Sequence, residues 1–330
     1  MEPLLMGNAH IEHRIIAKQW RLGDAIAVAW GALRNADYLV LNNDHRPLFV
    51  ACALYWLVAP RFSRRCKLVS VDLLLRPPFT LRSKVLALVR RALLLQVDLF
   101  VLYFKNVDGY VRQGVPRSRC RYVPFKVNSW EKLVARRGLA DDGDYVLVAG
   151  ATLRDHATFV EAIRRIGIPA VILIPGRDRA QTEQQAWYRA ELPKVLRVEF
   201  HSDGAEDTYL GYFQRAKIVC LPRYRWDIAS TGISAYLCAM ALGKCVVVSK
   251  GPGAEDVLAQ SEAAVFFEPE DPADLVRALK LVWEDAALRG RIAANGVLLT
   301  ETLKGEENLL RNLLVTLGIR DVQVRTAPRG

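Results

Sequence analysis

Short apolar runs alternate with segments of helical periodicity along most of this chain. In the first half, the runs YLVLN at 38–42 and KLVSVD at 67–72 predict strands, and helices are predicted over 46–58 and 80–95. DLFVLYF and RYVPF predict two further strands. Because strands that alternate with helices are typical of a parallel α/β sheet, this half predicts one such sheet.

The alternation starts again after the polar stretch ARRGLADDGD at 135–144. Helical segments separate six further apolar runs, which are YVLVAG, AVILIPG, LRVEF, KIVCLP, CVVVS and AVFF. We therefore predict an α/β protein with two Rossmann-like parallel-sheet domains that face each other across a cleft. The predicted boundaries are an N-terminal domain over 1–127, a hinge over 128–143, a C-terminal domain over 144–305, and a C-terminal helix and tail over 306–330.

The composition fits a globular protein with two cores. The chain has 330 residues, of which 52% are hydrophobic. Its six cysteines form no Cys-x-x-Cys pair, which argues against a disulfide framework or a zinc site and favours a reducing compartment. No apolar run is long enough to cross a bilayer as one helix, and the N-terminus does not resemble a signal peptide, so we expect a cytoplasmic protein.

Positive charge is concentrated in the first half of the chain. Residues 1–127 contain 20 Lys and Arg against 8 Asp and Glu, whereas the remainder has 26 against 27. The segments APRFSRRCKLV and LRSKVLALVRRALLL place cations among large apolar residues, which predicts attachment to an anionic membrane surface, on its inner face. Nucleic acid is disfavoured, because these segments offer few aromatics for base stacking. A solvated basic face without a partner is the alternative.

The segment LPRYRWDIASTGIS joins the KIVCLP strand to the next helix. Ser230, Thr231 and Gly232 lie where unpaired backbone N–H groups and the positive end of the helix dipole are expected. This arrangement suits a phosphate group, and Arg223 and Arg225 upstream add positive charge. The alternative is structural, with Ser230 or Thr231 serving as an ordinary N-cap.

A second loop, VAGATLRDHATF, follows the first predicted strand of the C-terminal domain. Gly150 ends that strand, and Arg154 is the cation of the loop, which makes it a candidate partner of a diphosphate. Asp155 is expected to cap the following helix. In a third loop, SKGPG, Gly251 and Gly253 allow a ligand to approach the backbone closely, or form a plain turn.

Four segments of the second half, taken in order, resemble the C-terminal domain of glycosyltransferase family 4, the retaining GT-B enzymes. They lie within about residues 144–302 and read GATLRDHATFVEAI, EFHSDGAEDTYLGYFQRAKIVCLP, STGISAYLCAMALGKCVVVSKGPGAEDVL and AVFFEPEDPADLVRALKLVWEDAALRGRIAANG. The first half resembles the family more loosely, through VDLFVLYFKNVDGYVRQGVPRSRCRYVPF. It looks shortened, because the usual opening strand and glycine-rich loop are not visible before residue 37.

The resemblance implies a donor site and also marks a departure from the family. The residues implied at the donor diphosphate and sugar are Gly150, Arg154, Arg223, Ser230, Thr231, Gly232, Ile233 and Ser234. His201 and Cys238 are implied at the donor nucleoside. Ser230 and Cys238 replace both carboxylates of the family's Glu-x7-Glu pair, and a thiol cannot replace a carboxylate that binds ribose hydroxyls. We expect Cys238 to be a packed core cysteine rather than a nucleophile.

Two residues of the N-terminal domain are candidates for catalysis. The family often places a histidine or an acidic residue at a strand end beside the reacting sugar. Asp72 ends the KLVSVD strand, and Asp44 and His45 follow the preceding strand. We take Asp72 and His45 as the catalytic candidates, which would orient or deprotonate an acceptor hydroxyl or stabilise an oxocarbenium-like transition state. A turn is the structural alternative for Asp72.

These observations predict a glycosyltransferase that moves a sugar, with retention, from a nucleoside diphosphate sugar to an acceptor, either lipid-linked or a cell-envelope glycan. No cofactor or metal is expected besides the donor substrate, because Arg154 and the helix terminus would stabilise the leaving diphosphate. The two missing glutamates favour an alternative, a non-catalytic nucleotide-sugar-binding protein on the same fold. A sugar-nucleotide epimerase is disfavoured, since no matching set of acidic residues and histidines is visible.

Overall fold

The protein consists of two compact units in a computed structural model. The structure describes residues 4–6, 9–11, 22–42, 45–58, 66–139, 143–202 and 206–319. The first unit comprises Met1–Pro124 with Leu309–Gly330, and the second comprises Phe125–Asn308. Among the described residues, no helix combines the length and the apolar character needed to span a membrane.

A parallel sheet forms the centre of the first unit. Its elements in chain order are β1 (Leu4–Met6), β2 (Ala9–Ile11), α1 (Leu22–Asn35), β3 (Tyr38–Asn42), α2 (His45–Val58), β4 (Lys67–Val71), α3 (Leu81–Leu94), β5 (Leu99–Leu102), α4 (Asp108–Arg112) and β6 (Cys120–Tyr122). Strands β3 to β6 pair in parallel in the order β3-β4-β5-β6, and β1 and β2 form a separate antiparallel pair. The apolar runs of β4 and β5 are buried because helices cover parallel sheets.

The second unit contains a larger parallel sheet. Its elements are α5 (Trp130–Arg136), β7 (Val146–Ala149), α6 (His156–Ile166), β8 (Ala170–Pro175), α7 (Arg179–Thr182), α8 (Ala186–Arg189), β9 (Leu196–His201), α9 (Glu206–Arg215), β10 (Ile218–Leu221), α10 (Ile233–Ala241), β11 (Cys245–Ser249), α11 (Glu255–Leu258), β12 (Val265–Phe267), α12 (Pro272–Glu284) and α13 (Ala286–Leu303). The last helix, α14 (Glu306–Thr316), begins in the second unit and ends in the first. The six strands are ordered β12-β11-β10-β7-β8-β9 and are all parallel. Chain order therefore reverses between β7 and β10, which is the switch point of a doubly wound sheet.

Local sequence signals place most of these elements. All five residues of β11, CVVVS, are buried, and its three valines are β-branched, as expected for a strand inside a parallel sheet. Gly243 has a φ of 74°, so it adopts the left-handed conformation predicted just after α10. The prediction of two parallel-sheet α/β domains is confirmed. The predicted hinge over 128–143 contains α5, and the contacts assign residues 309–330 to the first unit.

The sequence patterns missed α1 and several short helices. Helices α4, α7, α8 and α11 have four or five residues, so they are shorter than the window in which helical periodicity can be recognised. Helix α1 has 14 residues, but only Ala25 and Ala29 are buried along it, so its inward face lacks large apolar residues.

Candidate functional site

The switch point of the larger sheet brings two loops together. One loop follows β7 and contains Arg154, and the other follows β10 and contains Arg223. The backbones of Arg154 and Arg223 form an isolated antiparallel bridge. Connections that leave in opposite directions open a crevice at the carboxyl ends of the two strands, which is where parallel sheets bind ligands.

Arg154 is a buried cation for which the residues that the structure describes supply no paired carboxylate. Its Nε and Nη1 donate to the carbonyl oxygens of Ala149 and Thr152 at 3.3 and 3.4 Å, and it forms no ion pair with the described residues. Burial and the charge of Arg223 lower its pKa to about 10, so it stays positively charged at neutral pH. A buried guanidinium of this kind is stabilised by an anion that binds beside it.

The guanidinium of Arg154 lies against the start of α10. Gly232 is the N-cap residue, with a φ of 94° and no side-chain cap hydrogen bond. A Cβ at Gly232 would lie 2.8 Å from Nη2 of Arg154, and the φ of 94° is one that other residues rarely adopt, so the position favours a glycine. The interpretation of Ser230 or Thr231 as the N-cap is wrong, because the chain bends at the glycine instead. The first amides of α10, including those of Ile233 and Ser234, precede the first hydrogen bonds of the helix and can bind an anion.

Arg223 holds the loop before α10 in place. It forms a buried ion pair with Asp227, 2.9 Å between Nη2 and Oδ2, and also donates to the carbonyl oxygens of Ala229 and Pro252. Asp227 additionally accepts from the amide of Ala229 and from the hydroxyl of Thr231. Arg223 and Thr231 therefore stabilise the conformation of the loop. That either residue contacts a phosphate directly stays a prediction.

The glycine loop after β11 packs against the same segment. Gly253 has a φ of 74°, and a Cβ there would lie 2.6 Å from Cβ of Ser230, which is itself buried. The Tyr236 hydroxyl donates to the carbonyl oxygen of Gly253 at 2.7 Å, and the amide of Gly253 donates to Asp256. Ser230 is therefore enclosed between the start of α10 and this loop.

Tyr209, which sequence analysis missed, lies near both predicted nucleoside residues, His201 and Cys238. Cys238 is buried in α10, and burial raises the pKa of its thiol to about 12. Burial raises the pKa of Tyr209 in α9; the nearby Cys238 adds to this effect, and the charge of Arg154 opposes it. The rings of His201 and Tyr209 lie 5.5 Å apart. An aromatic residue in an amphipathic helix gives no sequence signal that distinguishes a site residue from a core residue.

His156 is a second residue that sequence analysis missed. Its Nε2 lies 3.1 Å from the carbonyl oxygen of Gly150, and its ring packs on Trp187 with 4.8 Å between centroids. Burial and the charge of Arg154 lower its pKa to about 3, so the ring is neutral and Nε2–H donates to the carbonyl. The neighbouring Asp155 caps α6 by accepting from the amide of Thr158, as predicted.

In the first unit, Asp72 follows β4 with a φ of 51°, in the left-handed region that few non-glycine residues adopt. Its amide donates to the carbonyl oxygen of Val101 at 2.9 Å. Burial and the negative charge of Asp72 raise the pKa of Tyr103, so these two side chains lie near each other at neighbouring strand ends. His45 begins α2, but its side chain and all of Asp44 lie outside the described residues.

The sequence of the second unit matches a known protein family. The family model "Glycosyl transferases group 1" matches residues 131–297, which lie within the second unit. A curated relative, D-inositol 3-phosphate glycosyltransferase of Thermomonospora curvata, is 24% identical over 231 residues, which are 68% of this chain and 51% of the relative. The chain thus spans about half the length of the curated relative it matches.

Solved structures with the same fold cover nearly the whole chain. HepE of Anabaena, in complex with UDP and glucose, superposes with a TM-score of 0.65 at 15% identity, over 93% of this chain and 84% of HepE. Sucrose-phosphate synthase of Thermosynechococcus elongatus gives a TM-score of 0.64 at 16% identity, over 94% and 85% of the two chains. At these low identities the superpositions establish the fold, which consists of two parallel-sheet α/β domains. Because the family model also covers half of the sequence, this chain belongs to the group 1 glycosyl transferases.

Proposed function

We propose that this protein transfers a sugar, with retention and without a metal, from a nucleoside diphosphate sugar to an acceptor that is lipid-linked or a cell-envelope glycan. The family membership supports a glycosyl transfer reaction. HepE binds UDP and glucose, which supports a nucleoside diphosphate sugar as the donor. The resemblance of residues 144–302 to glycosyltransferase family 4, whose members are retaining enzymes, supports retention.

The observation that carries the proposal is the position of Arg154. A buried guanidinium that forms no ion pair within the described part of the chain faces the N-terminus of α10 across Gly232. Diphosphate leaving groups develop negative charge as the glycosidic bond breaks, and a fixed cation together with helix amides stabilises that charge without rearrangement. This set of groups would supply the charge neutralisation that a metal supplies in other enzymes. Among the described residues, no group of three or more His, Cys, Asp or Glu side chains could hold a metal ion.

Asp72 and His45 remain the proposed catalytic residues of the first unit. The left-handed backbone of Asp72 supports the proposal, because strained residues persist mainly where the surrounding structure or the function requires them. Tyr103, beside Asp72, is a further group that could orient an acceptor hydroxyl.

The experiment is calorimetric titration of UDP into the wild-type chain and the Arg154→Ala variant. Loss of a buried charge-assisted hydrogen bond should weaken binding by about 1.5–3 kcal/mol, or tens of fold in affinity. Arg225→Ala is the matched control. The sequence suggested Arg225 as added charge for the phosphate, but its exposed guanidinium contacts Glu270 and the carbonyl oxygen of Pro269, so we expect the affinity to change little. Unchanged affinity in Arg154→Ala would remove Arg154 from the donor site.

Turnover separates the enzyme from the non-catalytic alternative. UDP-sugar hydrolysis in the absence of an acceptor should be measurable in the wild-type chain and lower in Asp72→Asn. Binding of UDP-sugars without hydrolysis or transfer to any acceptor would instead favour the nucleotide-sugar-binding protein, which the replacement of both family glutamates by Ser230 and Cys238 also favours.

A further inference from the structure

Helix α3 exposes its large aliphatic side chains. Its outward face, defined by Leu81, Val85, Leu88 and Val89, is 80, 57, 68 and 56% exposed. These residues are spaced i, i+4, i+7 and i+8, so they form one continuous stripe along the helix. A surface helix of a globular protein normally turns such a stripe toward the core.

The side of α3 opposite the aliphatic stripe makes the contacts that orient the helix. The residues turned toward the unit include Ser83, Ala87 and Arg90, which are small or polar, together with the half-buried Leu93 and the buried Leu94. Arg90 donates to the side-chain oxygen of Gln113 and to the backbone of Arg76, and burial lowers its pKa. The inward side therefore carries the anchoring contacts, and the aliphatic stripe is left outside.

Positive charge flanks the outward face on both sides. At 100° per residue, Arg82 lies along one edge of the stripe, and Lys84 and Arg91 lie along the other. Helix α3 contains no acidic residue. Phe79, just before the helix, is 63% exposed and adds an aromatic group at its start.

We propose that the outward face of α3 docks on an anionic lipid bilayer. Aliphatic residues would enter the boundary between headgroups and acyl chains, while Arg82 and Lys84 would extend along the edges to lipid phosphates. A second copy of the chain fits less well, because symmetric pairing through this face would bring cations against cations. This proposal does not depend on the glycosyl transfer reaction.

The test is co-sedimentation of the full chain with vesicles of phosphatidylglycerol and, separately, of phosphatidylcholine. The wild-type chain should sediment with phosphatidylglycerol at low salt and stay in the supernatant with phosphatidylcholine. Leu88→Ser combined with Val89→Ser should lower the bound fraction more than tenfold, and so should Arg82→Glu combined with Lys84→Glu. None of the four side chains is buried, so the variants should fold, which circular dichroism verifies.

Matched controls use the second unit, where Leu298 is 66% exposed in α13 and Lys280 and Arg291 are exposed. Leu298→Ser, and Lys280→Glu combined with Arg291→Glu, should leave vesicle binding unchanged. Equal recovery of the wild-type chain in both supernatants, or undiminished binding by the α3 variants, would overturn the proposal. So would a wild-type dimer in light scattering that Leu88→Ser with Val89→Ser converts to a monomer, since a second copy would then cover the face.

Discussion

Two neighbouring ionisable side chains, Arg154 in the loop after β7 and His156 at the start of α6, differ in charge at neutral pH. Arg154 keeps its charge, because its pKa of about 10 remains well above neutrality. His156 is neutral, because the same burial and the charge of Arg154 lower its pKa to about 3. The result is one fixed positive charge beside the start of α10, with an uncharged ring that holds the carbonyl group of Gly150.

The pKa of His156 predicts a specific loss of stability in acid. Between its folded value of about 3 and its ordinary value of 6.5, the unfolded chain binds more protons at this residue than the folded chain does. Stability therefore falls as the pH drops below 6.5, by about 2 kcal/mol between pH 7 and about pH 5. His156→Gln keeps an amide donor but does not titrate, so its unfolding free energy should decline less over this range.

Urea denaturation of both chains at several pH values measures the difference. His201→Gln is the control, because it replaces a partly exposed histidine of the same unit by the same residue. Identical pH dependence in wild type and His156→Gln would show that His156 is not buried in its neutral form.

At the scale of elements, a few side chains fix the connection between β10 and α10. Arg223 joins this loop to the glycine loop after β11, and Asp227 binds Arg223, the amide of Ala229 and Thr231. This network positions Gly232, against which Arg154 lies. The geometry of the candidate site thus depends on a buried ion pair that need not touch a ligand.

Asp227→Asn should therefore destabilise the second unit and weaken UDP binding together. Removing one charge of a buried pair leaves Arg223 without its counter-ion, which typically costs about 3–5 kcal/mol. Glu270→Gln is the matched control, because its contact with Arg225 is exposed and worth at most about 1 kcal/mol. Chemical denaturation gives the stability, and an equal effect of the two variants would mean that the Arg223–Asp227 pair is not buried in solution.

At the scale of the whole molecule, the chain returns to its first unit after completing the second. Residues 309–330 belong by their contacts to the first unit, where Leu314 is buried and the Tyr38 hydroxyl donates to the carbonyl oxygen of Leu317 at 2.7 Å. The end of α14 therefore stabilises a domain whose other residues precede Phe125.

Leu314→Ala tests this assignment. A buried Leu→Ala substitution costs about 2–5 kcal/mol, and the loss should appear in the first unit. Hydrogen exchange followed by mass spectrometry should show faster exchange in β3 to β6 and little change in β7 to β12. Val315→Ala, at a 64% exposed position in the same helix, should change neither. Faster exchange confined to the second unit would contradict the assignment.

The sequence by itself determined the order of the main strands and helices, the two parallel sheets and the segments that supply the candidate site. These features depend on local periodicity, on buried β-branched runs such as Cys245–Ser249, and on glycines such as Gly243 that end helices. The loop with Arg154 and the start of α10 could be predicted because ligands bind parallel sheets at the carboxyl ends of strands.

Tertiary structure alone decided which side of each element is buried and which distant residues meet. The periodicity of α3 predicts a helix but does not reveal that its aliphatic stripe faces outward, because that depends on what Arg90 and its neighbours contact. The same holds for Tyr209 beside Cys238, and for Gly232 as the N-cap in place of Ser230 or Thr231. Each of these features arises from contacts between residues far apart in the chain, which a local pattern does not encode.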